Sequence, residues 1–283
     1  MEDKKGLKRY FQLLGLYAKM DLAMLLRDTK AAILNLVADV LSNASALTGM
    51  FLLAWRFDGI GGMGKYEVLF MLSYITIITG VYQTCCAGCN VGHISRRIGR
   101  GQLEHMLMQP LPLRTQLLTE GFIPFTGSGS LLTGIVMISI AIRYLGVAVT
   151  WWWVLSLVAN VVVTMTIILS QSYLLSSAAF YAPVAAEEIS SFVINLGADL
   201  GQYPLSGMPR AMQLLLVFVF PSGLLGWFPS LALLGKPPLH LPYFFPAVIA
   251  AALFIAAQIF FRRGLKHYVQ TGSNRYLPYG HRR

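Results

Sequence analysis

Residues 59 to 66 read "GIGGMGKY": a glycine, four intervening residues, then Gly64 and Lys65, which is the spacing of a phosphate-binding loop. In a nucleotide hydrolase the amides of such a loop cradle phosphates, the lysine reaches the terminal ones, and a following Ser or Thr ligates magnesium. Tyr66 holds that last position here. The chemistry also requires a buried strand before the loop and a helix after it, inside a soluble α/β domain. Cys85, Cys86 and Cys89 form a second candidate, since Cys86 and Cys89 have C-x-x-C spacing. That spacing suits metal binding or thiol exchange, but no second pair or histidine cluster completes it, which favours small buried residues of a membrane helix. His93, His105, His240, His267 and His281 are scattered without ligand spacing. Ser128 and Ser130, in "TGSGS" at 126 to 130, offer hydroxyls with no base that the sequence identifies. There is no HExxH either.

The elements that must position these residues are dictated by composition. Of 283 residues, 56% are hydrophobic and 12% charged, half the charged share of an ordinary soluble domain. The mean hydropathy is +0.61. Several apolar runs reach the ~20 residues needed to cross about 30 Å of hydrocarbon. This predicts an all-α polytopic membrane protein and removes the soluble domain that a nucleotide loop needs. The net charge of +10 could point to nucleic acid, yet the cations sit at the two ends and in the polar gaps between apolar runs. That distribution orients a membrane protein, so no nucleic-acid partner is expected. The first 30 residues carry charges throughout, and no cleaved signal is expected.

Residues 7–28 read as an amphipathic interfacial helix, with Tyr10, Leu14, Tyr17 and Leu25 opposite Lys8, Gln12, Lys19 and Lys30. Asp21 and Asp28 fall on its apolar side, which lipid contact does not explain and a protein contact would. Crossings are expected at 31–55, 66–92, 121–144 and 151–181, with a last one at 242–261 stopped by Arg262 and Arg263. Between them, either 188–205 crosses and 211–235 dips in and returns, or 211–235 crosses; both keep the same parity. The N-terminal segment, the 94–118 loop and the 262–283 tail hold 17 of the 22 Lys and Arg. Six crossings with both ends cytoplasmic follow from that bias. "GIGGMGKY" then lies in an outer turn, where it serves as a turn and not as a nucleotide site.

Several segments together resemble the membrane subunit of ABC-2 type ATP-binding cassette exporters, specifically a bacterial permease family formerly a domain of unknown function. The interfacial helix, "GIGGMGKYEVLFML", "IGRGQLEHMLMQPLPLRTQLL", "YPLSGMPRAMQLLLVFVFPSGLLGWFPSLALLGKPP" and "RRGLKHYVQTGS" occur in the family's order. The resemblance implies a type V exporter-like permease fold in the bacterial cytoplasmic membrane. It implies two copies of a separate ATPase subunit that binds ATP and magnesium, a second permease, identical or homologous, and surrounding lipid. No cofactor is expected in this chain. The loop at 94–118 becomes a coupling helix that docks on the ATPase through Gly101, Leu103, Glu104, Leu107, Pro110, Leu111 and Pro112. Leu103 and Leu107 are four apart, which would put two exposed leucines on one face ahead of a proline stop. The resemblance also selects 188–205 as the fifth crossing and makes 209–235 an outer re-entrant gate, broken at Pro204, Pro209, Pro221 and Pro229.

Asn35, Asp39, Ser42 and Asn43 share one face of the first crossing. An ionisable group in hydrocarbon marks an interior or water-lined position, so this face looks toward the pathway or the partner permease, or else supplies polar glue between helices. Glu120 and Asp199 are weaker cases of the same kind. The leading reading is an exporter permease for an amphiphilic or lipid-linked substrate. The rivals are an ion-coupled secondary transporter, which would show internal repeats with broken helices near mid-membrane, and an intramembrane enzyme.

Overall fold

The computed structural model describes residues 2–86, 97–98, 102–119, 122–125 and 127–271. Among these residues every regular element is helical, apart from one isolated bridge inside a turn. Helix α1 spans Glu2–Arg27 and α2 spans Thr29–Arg56. Asp28 separates them: its carboxylate accepts from the Ala31 amide at 3.2 Å, capping α2. The remaining helices are α3 (Lys65–Cys85), α4 (Gln102–Met108), α5 (Leu113–Thr119), α6 (Gly129–Leu145) and α7 (Trp151–Ser176, continued as a 3₁₀ turn to Phe180). After them come α8 (Pro183–Gly201), α9 (Arg210–Leu214, continued as a π turn to Val219), α10 (Trp227–Leu233) and α11 (Phe245–Thr271).

Among the described residues, four helices are long and apolar enough to cross a membrane: α2, α3, α7 with its extension, and α11. The pair α9–α10 makes a fifth only if its two limbs, bent by 76°, count as one span. Helix α6 has 17 residues, about 26 Å at 1.5 Å each. Within the run expected to cross from residue 121, helix α6 begins at Gly129; among the described residues just before it, the Ser128 hydroxyl donates to the Phe125 carbonyl at 2.8 Å. Helix α8, with 19 residues, starts at Pro183 and not at 188, since proline is well suited to a first helical position. Helix α11 runs past Arg262 and Arg263 to Thr271. Its extra turns are held where Tyr268 packs on Phe180 with ring centroids 5.8 Å apart.

Helix α3 is the central post, buried along most of its length. Its closest neighbour is α6, and glycines set the approach: a Cβ on Gly80 would lie 2.4 Å from the Leu131 amide, and one on Gly134 would lie 2.8 Å from the Ile77 amide. Membrane helices, lacking a hydrophobic force between them, gain their packing from such small residues. The second limb of the bent pair is also interior, with Pro221 through Leu233 buried without interruption. Trp227 anchors it, donating from Nε1 to the Ser206 hydroxyl at 2.7 Å.

Contacts define two ends. At one, the Gly61 and Gly207 backbones touch, Tyr66 stacks on Tyr144 at 4.5 Å, and the Lys236 ammonium meets the Glu67 carboxylate at 2.5 Å. At the other, Leu103, Met106 and Leu117 pack with Phe180, Ala186 and Tyr268. Helix α8 starts at the second end, near Ala186, and the chain that follows it reaches the first end at Pro204, whose carbonyl approaches Gly61. The bent pair behaves differently. Ser206 and Gly207 before it, and Lys236 after it, all lie beside residues 61–67. The chain therefore enters and leaves this pair at the same end, turning at Phe220–Pro221, where a π turn and a proline interrupt the helical bonding.

Candidate functional site

The phosphate-loop spacing resolves into a turn. Helix α2 precedes it where a strand is required, and Gly59, Gly61 and Gly62 adopt φ of +139°, +59° and +79°. A Cβ on Gly59 would lie 2.3 Å from the Met63 carbonyl oxygen, so the glycines are what lets the chain reverse. The Lys65 ammonium pairs with the Asp58 carboxylate at 3.1 Å and lies 4.7 Å from the centre of the Trp55 ring. Both interactions occupy the group that a phosphate would need.

At the opposite end, α4 and α5 form a short hairpin. Leu103 is fully buried and Met106 is 6% exposed, while Leu107 is 41% and Met108 73% exposed. This corrects the expectation that Leu103 and Leu107 form one exposed face. The inward stripe is Leu103 with Met106, spaced three apart, and only Leu107 of the leucine pair turns outward. Leu103 is claimed by Phe180, Ala186 and Tyr268 from distant parts of the chain, which local spacing does not reveal. Glu104 is not free either: the Tyr268 hydroxyl donates to its Oε1 at 3.0 Å, joining α4 to α11.

The turn between α4 and α5 is held by Gln116, whose Nε2 donates to the carbonyls of Met106 and Leu111, both at 2.8 Å. The first lies in the last turn of a seven-residue helix and the second inside the Pro-Leu-Pro break, where intrahelical donors run out. Pro110 and Pro112 are exposed beside Leu107 and Met108, with Leu111 half-buried between them. The outcome is a rigid hairpin with an apolar tip and a root keyed into the bundle. Gly101 lies outside the described residues, as do Cys89, His93, Glu120 and the tail beyond Thr271.

The four polar residues of α2 divide. Asn35 and Ser42 are exposed, whereas Asp39 and Asn43 are half-buried against α6. The Asn43 amide donates to the Ser130 hydroxyl at 2.9 Å and to Asp39 Oδ1 at 3.0 Å, and the Ser130 hydroxyl donates to Gln83 Oε1 at 2.7 Å. At 100° per residue the four span an arc about 100° wide. Its Asp39–Asn43 edge meets α6, and its other edge turns away. Ser130 is thus a fastener among α2, α3 and α6. Gln83 was the missed partner; its signal is a lone amide in the apolar run of α3. On α1, Asp21 is 5% exposed and accepts from the Phe125 amide at 2.8 Å, so the protein contact its position called for lies within this chain.

The four prolines sit at breaks. Pro204 precedes the turn at Leu205–Gly207, Pro209 caps α9, and Pro221 opens the turn at the 76° bend. Pro229 occupies the first turn of α10, where its missing N–H has no intrahelical acceptor to lose.

A family model described as "ABC-2 family transporter protein" matches residues 40–272. The chain belongs to that family. Comparisons with curated proteins and with solved structures gave no match. This ABC-2 family chain is accordingly a multi-pass membrane component of a transport system, of a kind that works with an ABC ATPase. The matched span takes in the α4–α5 hairpin, the Asn43–Ser130–Gln83 contacts and the bent pair, and begins one residue after Asp39.

Proposed function

We propose that this chain is the permease subunit of an ATP-driven exporter, and that the α4–α5 hairpin is where a separate ATPase subunit docks. The observation that carries this reading is the hairpin's construction. Its tip offers Leu107, Met108, Pro110 and Pro112 to solvent, and its root is fixed by Leu103, Met106, Leu117 and the Tyr268–Glu104 bond. A loop serving only as a connector needs neither an exposed apolar tip nor a buried root.

In this reading two ATPase copies bind ATP and magnesium and close on each other, drawing the hairpins with them. The displacement passes through Leu103 and Tyr268 to α11 and to the α7–α8 corner at Phe180 and Ala186, a rigid-body change between two packed states. Six helices cross: α2, α3, α6, α7, α8 and α11. The end that carries the hairpin and most of the cations is cytoplasmic. The bent pair α9–α10, which enters and leaves at the opposite end, is a re-entrant outer gate hinged at Pro204, Pro209 and Pro221. Asn35 and Ser42, on the outward edge of α2, face a second permease, identical or homologous. Cargo is an amphiphilic or lipid-linked molecule exported across a bacterial cytoplasmic membrane.

The test is gentle purification of the natively expressed chain with mass identification of every subunit that comes with it. Recovery of a protein bearing a complete G-x-x-x-x-G-K-[ST] sequence supports the reading. Repeated purification without any ATPase, together with transport that follows an ion gradient, would replace it with an ion-coupled transporter.

A further inference from the structure

Beneath the bend of α9–α10 lies a cavity of about 240 Å³ bounded by α3, α7 and α8. Its walls follow helical spacing: Ile75, Ile78 and Tyr82 on α3, and Ile168, Gln171 and Leu175 on α7. Helix α8 makes the room by presenting Gly197, Ala198 and Gly201, and Phe220, at the bend, closes the top. The Phe220 ring would touch a Cβ on Gly197 at 3.4 Å. Most of the lining is apolar, but Thr79, Gln171, Asn195 and Gln202 bring four polar side chains to it from three helices. Thr79, Asn195 and Gln202 are exposed, so the cavity is open at the chain's surface.

Two features limit what this cavity takes. The side chains of Gln171, Asn195 and Gln202 form no hydrogen bond with the described residues, unlike Gln83, Gln116 and Gln213, whose side chains are all engaged. Asn195 and Gln202, at the open side, keep their amides free for an incoming group, while an amide left unbonded at membrane depth, as that of half-buried Gln171 is, is favoured where something else bonds it. Among the described residues lining the cavity there is also no Asp, Glu, Lys, Arg or His. A charged group placed here would lose water and find no counter-charge. The cavity is large enough for a sugar-sized head group, and its open side leaves a tail a way out.

We propose that this cavity receives the uncharged, hydroxyl- or amide-bearing head of an amphiphile whose alkyl tail stays at the open side. The assignment rests on the permease reading and gives the cargo a class. Gln171 and Asn195 hydrogen-bond the head, Ile75, Ile78 and Ile168 hold the first carbons of the tail, and Phe220 shields the head from the outer side. A head that lacks donors and acceptors leaves those amides unbonded and is selected against.

The experiment uses the full chain in phosphatidylcholine nanodiscs and three photoreactive probes. All three carry the same diazirine-bearing octyl chain; their heads are β-glucoside, sulfate and trimethylammonium. The expected result is preferential labelling by the glucoside probe in peptides covering 75–82, 168–175 and 193–202, competed by unlabelled octyl β-glucoside. Gln171→Leu should cut that labelling three- to tenfold, the worth of one hydrogen bond between uncharged groups. Asn195→Asp should turn the preference toward the trimethylammonium probe, a gain that misfolding cannot imitate. Equal labelling by the three heads, labelling elsewhere, or indifference to both variants overturns the proposal. The wild-type pattern alone decides if a variant does not fold. Because no ATPase or nucleotide is present, a failure here removes the cavity assignment and leaves the ATPase partnership standing. A chain that labels as expected but never recovers an ATPase does the reverse.

Discussion

Replacing Ser130 with alanine separates a helix fastener from a pathway-facing polar stripe. Ser130 is fully buried, accepts from the Asn43 amide at 2.9 Å and donates to Gln83 Oε1 at 2.7 Å, so the change deletes two bonds that join α6 to α2 and α3. Hydrogen bonds between membrane helices average about 0.6 kcal/mol and reach about 1.7. The expected loss is therefore about 1–2 kcal/mol, read as reversible unfolding of the purified chain in mixed micelles. A double-mutant cycle of Asn43→Ala with Ser130→Ala isolates the direct bond and should return a coupling of roughly 0.6 kcal/mol or more. Asn35→Ala and Ser42→Ala, on the exposed edge of α2, should each change stability by less than about 0.5 kcal/mol. Zero coupling between Asn43 and Ser130, with Asn35→Ala as damaging as Ser130→Ala, would refute the division of this face.

Leu103→Ala should lower the unfolding midpoint, because emptying a fully buried leucine site costs about 2–5 kcal/mol, while Leu107→Asp should leave the midpoint unchanged and abolish ATPase recovery. Gln116→Ala should weaken ATPase recovery and increase protease cleavage at the Pro-Leu-Pro turn, since it frees the Met106 and Leu111 carbonyls; intact protection there would remove the clamp role. Lys65→Ala should leave nucleotide binding by the assembled complex untouched in a filter assay and change stability by no more than about 1 kcal/mol.

Apolar run length made α2, α3, α7 and α11 legible, because about 20 apolar residues leave few alternatives to a membrane helix. Helix boundaries were harder. Charge does not stop a helix, so α11 continues past Arg262 and Arg263 once Tyr268 finds Phe180 and Glu104. The glycine turn at 59–64 was readable from its position between two apolar runs, and its positive φ angles give the physical reason for its composition. Partnerships across long sequence separation were not readable. Asp39 and Asn43 announced a polar site, but nothing near them points to Ser130, 87 residues after Asn43. The inward turn of Leu103 depends likewise on α7, α8 and α11, whose arrival no local pattern records.

The most direct test of the account places a photo-crosslinking amino acid at Leu107, at the hairpin tip, and in a parallel sample at Tyr144, exposed at the opposite end. Irradiation of native membranes, followed by mass identification, should give an adduct with an ATPase subunit from position 107 and none from position 144. An ATPase adduct from position 144, or none from position 107 in a complex shown to contain the ATPase, would contradict the assignment of the hairpin as the docking element.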